Sequence, residues 1–227
     1  MMTLYSGPLS LFSRKVEIAL HEKALPFERV QVPFSQAKGY APKHPAVLAA
    51  NPKGQVPVLA DGDLTLFDST VIFEYLEDAY PTPPLYPTGA VARARCRQLE
   101  FYADEILFAP VSRLLYRTEP PHPDPERQRL RETEAERAEA AIRDHYGALQ
   151  ERLGGPAHFC GAFSVADIAL FMTVLFVLRL KGPSLSGHPA LAAWHARVGA
   201  RPAVAKIAAE IAAADRELSP ALQLGRA

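Results

Sequence analysis

From Asn51 to Ser69 the chain reads NPKGQVPVLADGDLTLFDS. Asn51-Pro52-Lys53-Gly54 is a turn signal that delivers the chain into an extended run, Val56 to Ala60. Asp61-Gly62-Asp63 turns it back as a tight hairpin into a second run, Leu64 to Phe67. Asp68 or Ser69 then caps a helix whose Val71, Ile72, Tyr75, Leu76 and Ala79 share one apolar face, and Pro81 stops it. Pro57 is out of keeping with this pattern. It has no N–H for a strand ladder, so its place at the start of an apparently central strand needs a separate reason.

Upstream, Thr3 to Ser6 is a strand candidate ended by Gly7-Pro8. Between Ser13 and Ala24 the residues Val16, Ala19 and Leu20 fall on one helical face, and Phe27 to Val32 alternates as a second strand. A connector, Pro33 to Pro45, and a short helix join that unit to the hairpin. The first eighty residues therefore read βαβαββα, a sheet with helices packed on it. Downstream, Pro81-Thr82-Pro83-Pro84 suits neither helix nor central strand, and the pattern after it is helical. Residues 1–80 are expected as an α/β domain, 81–88 as a linker and 89–227 as an all-helical domain. In the latter, one helix is expected from Ala90 to Thr118, a second from Glu126 to Leu153 with Leu130, Ala138, Ala141 and Ile142 available for burial, and two more over Pro189 to Val198 and Pro202 to Ala214. Ser164-Val165-Ala166-Asp167 fits the capping-box pattern before the apolar run Ile168 to Leu178. That run has eleven residues, whereas a bilayer span takes roughly 20.

Composition excludes several classes. Twenty-five basic residues balance twenty-five acidic ones, so net charge points to neither nucleic acid nor an anionic membrane as the principal partner. Cys96 and Cys160 are far apart in sequence, without CxxC or metal-ligand spacing; both are expected as buried packing residues in a reducing compartment, with no metal site. No charged segment followed by an apolar run opens the chain, so a cytoplasmic location is expected.

The run NPKGQVPVL with Asp68-Ser69 eleven residues beyond Pro57 resembles the glutathione S-transferases of the bacterial, cytosolic type. The likeness extends over the whole chain: a thioredoxin-like half, a proline-rich linker, and a helical half with its S-x-x-D cap. It implies a cis Val56-Pro57 bond that turns the Val56 backbone toward the extended backbone of bound glutathione, used as co-substrate. Asp68-Ser69 would offer a hydroxyl and helix N-terminal N–H groups to the γ-glutamyl carboxylate, where the helix dipole favours an anion. Gln55 and Lys43 would lie nearer the other end of the tripeptide, with His44 or Lys53 as substitutes for Lys43. A plain helix cap and a trans edge proline would account for the same residues without a ligand.

For the thiol the candidate is Ser10, between the first strand and the first helix, where thioredoxin-like proteins place the first residue of a redox pair. Ser10-Leu11-Phe12-Ser13 has serines in place of cysteines, so no mixed disulfide can form through the protein at this point. A hydroxyl can instead donate to a bound thiolate and favour its ionisation. The alternative for Ser10 is a loop or cap residue, and Tyr5, Ser6 and Ser13 are rivals: Ser13 reads as the N-cap of the first helix and Tyr5 as a core-facing strand residue. The second substrate, a small electrophile, is expected against Phe12, Tyr102, Phe108, Arg113 and Tyr116, and for the aromatic residues among them a helical core is an alternative explanation. The family resemblance further implies a two-fold homodimer.

A secondary resemblance is to stringent starvation protein A, a transferase-fold partner of RNA polymerase, carried by MTLYSGPLSLFS, Leu64 to Leu76, and the run from Pro81 through Val91-Ala92-Arg93. It implies a non-catalytic, protein-binding alternative. Two departures weigh against it: Pro81-Thr82-Pro83 lacks the histidine of that protein's Pro-His-Pro element, and Ser10 stands where it has an acid, which would repel a thiolate. A glutathione-dependent peroxidase or reductase is the remaining alternative.

Overall fold

The computed structural model describes residues 1–223, which form two compact units: Met1–Tyr86 with Pro202–Leu218, and Pro87–Arg201 with the segment that begins at Ser219. The first unit runs β1 (Met2–Ser6), α1 (Leu11–Glu22), β2 (Phe27–Gln31), α2 (Pro45–Ala50), β3 (Val58–Asp61), β4 (Leu64–Phe67) and α3 (Ser69–Ala79), the expected βαβαββα order. The sheet order is β2-β1-β3-β4; β1 pairs parallel to β2, and β3 pairs antiparallel to both β1 and β4. Leu4, Val16, Leu20, Leu59, Ile72 and Leu76 are all but inaccessible and fill the core between sheet and helices. Two boundaries differ from the sequence reading. β3 begins at Val58, because Pro57 has no N–H to give the ladder. α1 begins at Leu11, because Ser10 and not Ser13 is its N-cap, the Ser10 side chain accepting from the Ser13 N–H.

In the second unit, α4 (Ala90–Phe101) passes through a π-helical turn, Tyr102–Leu107, into α5 (Phe108–Ser112) and a 3-10 turn, Leu115–Thr118. The single helix expected from Ala90 to Thr118 is thus four pieces. Pro110 has no N–H for the Ile106 carbonyl and its ring crowds that oxygen, so the preceding turn widens. Next come α6 (Pro125–Leu153), α7 (Val165–Arg179) and α8 (Pro189–Gly199). α6 buries Ala135, Ala138, Ile142 and Tyr146, while Leu130, expected to be available for burial, is 60% exposed. α7 is buried all round. Its cap holds as expected: the Ser164 N–H donates to Asp167 Oδ2 at 3.1 Å, and the Trp194 Nε1–H to Asp167 Oδ1 at 2.8 Å. Among the described residues no helix is long and apolar enough to cross a membrane.

The last helix, α9 (Pro202–Leu218), packs on α1 in the first unit. Glu210 accepts from Arg14 at 2.9 Å and also from Arg29, and both arginines reach the fully buried Glu17, at 2.8 and 3.0 Å. Arg14 and Glu17 are the buried members of the set, and breaking their pair would cost about 3–5 kcal/mol.

Candidate functional site

α1 starts where β1 ends, so its first turn lies at the carboxyl edge of the central strand, the edge at which open α/β sheets bind ligands. Ser10 Oγ accepts twice there, from the Ser13 N–H at 3.2 Å and from the Ser13 hydroxyl at 3.1 Å. Ser13 Oγ accepts in turn from the Gly7 N–H at 3.4 Å. A hydroxyl has two acceptor lone pairs and one proton, so Ser10, with both lone pairs engaged, keeps its proton to donate. The rivals are otherwise occupied. Ser6 is buried and donates to Glu17, and Tyr5 packs against the cluster of Val32, Val47 and Val58, with its ring 4.9 Å from that of His44.

Ser10, Phe12, Lys43, Gln55 and Val56 surround one cavity of about 220 Å³, completed by Tyr40, His44, Val32, Val47 and Gly54. That is below the roughly 300–1,000 Å³ of sites that engulf a drug-sized ligand, and suits one part of an extended ligand. The Val56-Pro57 bond is cis. The loop before it is fixed by Asn51, which is buried and donates from Nδ2 to the Gln55 carbonyl at 2.8 Å while its Oδ1 accepts from the Lys53 N–H at 2.9 Å. His44 caps α2 by accepting from the Ala46 N–H at Nδ1, 3.2 Å, and Lys43 stands beside it in the cavity wall.

Asp68 and Ser69 stand beyond these walls, at the N-terminus of α3. Val58 pairs with Phe67, so the ladder places Asp68 beside Pro57. Asp68 has φ 73° and ψ 127°, a left-handed conformation costing on the order of 1–3 kcal/mol in a non-glycine residue. Its Oδ1 accepts from the Thr70 and Val71 N–H groups at 2.9 and 3.4 Å. The free N–H groups expected here are therefore reduced to that of Ser69, which with its hydroxyl is what the turn can still offer an anion.

Tyr40 was not anticipated. Its hydroxyl accepts from the Leu9 N–H at 3.2 Å, and a Cβ on Gly7 would lie 2.5 Å from its ring. Gly7-Pro8 therefore does more than end β1: the glycine admits a ring that closes the cavity beside Ser10. Tyr102, Phe108, Arg113 and Tyr116, expected around the electrophile, lie along the π-helical turn, α5 and the 3-10 turn of the helical unit. The Tyr102 hydroxyl is 2.6 Å from His145 Nδ1, Arg113 lines a cavity of about 430 Å³ with Pro110, Glu134 and Arg137, and Phe108 and Tyr116 are half-buried.

Family models described as "Glutathione S-transferase, N-terminal domain" and "Glutathione S-transferase, C-terminal domain" match residues 4–84 and 106–202. The chain belongs to the glutathione S-transferase family. Its fold superposes on a glutathione S-transferase from Rhodospirillum rubrum F11 with a TM-score of 0.76 and 30% identity, covering 91% of each chain. A second transferase-family structure, from Methylobacterium radiotolerans in complex with glutathione sulfonate, matches at TM-score 0.74 and 28% identity over 91% of this chain and 94% of that one. Among curated proteins, a stringent starvation protein A homolog of Coxiella burnetii is 43% identical over 102 residues, 44% of this chain and 45% of its own length. The chain thus spans less than half the length of the curated relatives it matches.

Proposed function

We propose that this transferase-family protein binds glutathione along Val56, Gln55 and Lys43, with Ser69 holding the γ-glutamyl carboxylate, and conjugates its thiolate to a small electrophile. The observation that carries the reading is the Ser10 hydroxyl, at the N-terminus of α1 and in the wall of the same cavity as Val56, with both lone pairs occupied. Its proton is available to a thiolate, and the helix dipole favours the same negative charge. A thiol of pKa about 8.5 brought toward neutrality becomes largely ionised and attacks carbon, the sulfur–carbon bond forming as the leaving group departs. Phe12 would form one wall for the electrophile, with Tyr102, Phe108, Arg113 and Tyr116 as candidates on the helical unit. A cytoplasmic homodimer is part of the same reading.

Retention on immobilised glutathione, with a rise in thermal stability at millimolar glutathione, is the expected result. Neither retention nor shift would remove the glutathione reading. It would favour the second reading, a protein-binding role, which the 43% identity to the stringent starvation protein A homolog supports.

A further inference from the structure

The two cysteines, so distant in sequence, meet in the helical unit. Cys96, on α4, has no exposed surface; Cys160, just before α7, is half-buried and bridged to Ala162. The two thiols are hydrogen-bonded to each other, the Ser164 hydroxyl that caps α7 lies within reach of both sulfurs, and the Ala166 N–H reaches Cys96. Neither sulfur is in a disulfide. Cys160 lines a cavity of about 530 Å³ bounded by Pro87, Gly89, Val91, Arg95 and Phe159, and Cys96 is not among its walls.

The pair is therefore asymmetric. The hydrogen bond from Cys96 draws the Cys160 thiol below its ordinary value against the pull of burial, with Ser164 and Arg152 acting the same way and the Asp167 carboxylate opposing. The same contact, and burial, push the Cys96 thiol up. The thiolate is the reactive form of cysteine, and access decides which of two sulfurs reacts first.

We propose that Cys96 and Cys160 are a hydroperoxide-oxidised dithiol, with Cys160 the sulfur attacked from the cavity and Cys96 the resolving thiol behind it. In the first step the Cys160 thiolate takes the terminal oxygen of the hydroperoxide; a sulfur–oxygen bond forms, the oxygen–oxygen bond breaks, and the departing alkoxide takes up a proton. In the second, Cys96 attacks the resulting sulfenic acid, the sulfur–sulfur bond forms, and hydroxide leaves with the Cys96 proton as water. Two thiols and one hydroperoxide give one disulfide, one alcohol and one water.

The test uses the full chain without glutathione, so it stands or falls separately from the glutathione site. Reduced protein is treated with one equivalent of tert-butyl hydroperoxide and its mass is read after denaturation in an alkylating agent. The expected product is a monomer two hydrogens lighter, with both thiols protected, restored by a dithiol reductant. In Cys96→Ser a dimedone adduct should form at Cys160, and in Cys160→Ser adduct formation at Cys96 should be about tenfold slower or more, since a buried protonated thiol is a poor nucleophile. Trp194 fluorescence verifies that each variant is folded, and the wild-type mass is informative without either variant. A chain-to-chain disulfide, first oxidation at Cys96, or thiol loss no faster in the folded protein than after unfolding would each overturn the assignment.

Discussion

Ser10-Leu11-Phe12-Ser13 and Ser164-Val165-Ala166-Asp167 open α1 and α7 with the same cap residue and differ in the third helical position. Both helices begin with N–H groups that lack partners in the helix and with a dipole that favours negative charge. At α7 the chain supplies that charge itself: Asp167 has no exposed surface and takes hydrogen bonds from the Ser164 N–H, the Ser164 hydroxyl, the Phe159 N–H and Trp194. At α1 the third position is Ser13, a neutral hydroxyl, and the cap lies in the wall of a cavity. An N-terminus already neutralised is a joint of the core, and one left neutral can still receive an anion.

The largest effect is expected where the charge is built in. Asp167→Ala strands the Trp194 and Ser164 donors in the core and should destabilise the protein by about 3–5 kcal/mol. Denaturant melts followed by the fluorescence of Trp194, the chain's single tryptophan, report this directly. A loss under 1 kcal/mol would mean that the two caps are energetically alike after all.

Ser10→Ala probes the other cap. Removing one donor to a thiolate should lower kcat/KM for a model electrophile about 10–100-fold, as expected of a charge-assisted hydrogen bond of about 1.5–3 kcal/mol, and weaken the thiolate absorbance of bound glutathione. Glutathione affinity should stay within a few-fold. An unchanged rate and absorbance would reduce Ser10 to a plain cap.

Ser13→Asp converts the first cap into the second. The Ser10 N–H already donates to the Gly7 carbonyl at 3.2 Å, so the carboxylate would take instead the Gly7 N–H and the Ser10 hydroxyl that meet Ser13 Oγ, and α1 should stay folded. A negative charge now faces the thiolate, and the pKa of bound glutathione should rise by roughly one unit, costing about tenfold in rate near neutrality. Titration of the bound thiol by absorbance measures the shift, and a thiol pKa no higher than in the wild type would break the comparison.

How far each cap could be read from sequence depended on what its neighbours had to supply. Asp167 was legible because a capping box lies within four residues and announces itself before an apolar run. The βαβαββα order was legible for the same reason, since turn signals and alternation are local. The cavity's lining was legible only in part: Ser10, Lys43, Gln55 and Val56 share one cavity, but Tyr40 reaches Leu9 from a connector without periodicity, and only the absence of a Cβ at Gly7 hints at a ring there. The Cys96–Cys160 contact was invisible, because it is made by packing α4 against the entry to α7 across a long stretch of chain. Ser13 was misplaced by one turn, since Leu11 and Phe12 give no sign that the helix has already begun.

The two units should also differ in their response to acid. The buried charges of the first unit are paired, Arg14 with Glu17 and Lys23 with Glu77, whereas His195 in the second lies stacked on Phe171 with ring centroids 4.5 Å apart and no partner for Nε2. Burial lowers its pKa from 6.5 to about 4. Between those values the unfolded chain binds a proton that the folded one does not, so stability is full above about pH 6.5 and falls as the pH drops toward 4. The loss attributable to this ring is about 1–2 kcal/mol, allowing for its solvent-facing edge. Since Trp194 neighbours His195, with ring centroids 6.2 Å apart, its fluorescence reads the unit in which the proton is taken up. His195→Gln, uncharged throughout, should flatten the stability profile over that interval while leaving stability at pH 7.5 nearly unchanged; a slope that persists undiminished in the variant would place the acid sensitivity in His21 and His145, whose pKa burial also lowers, instead.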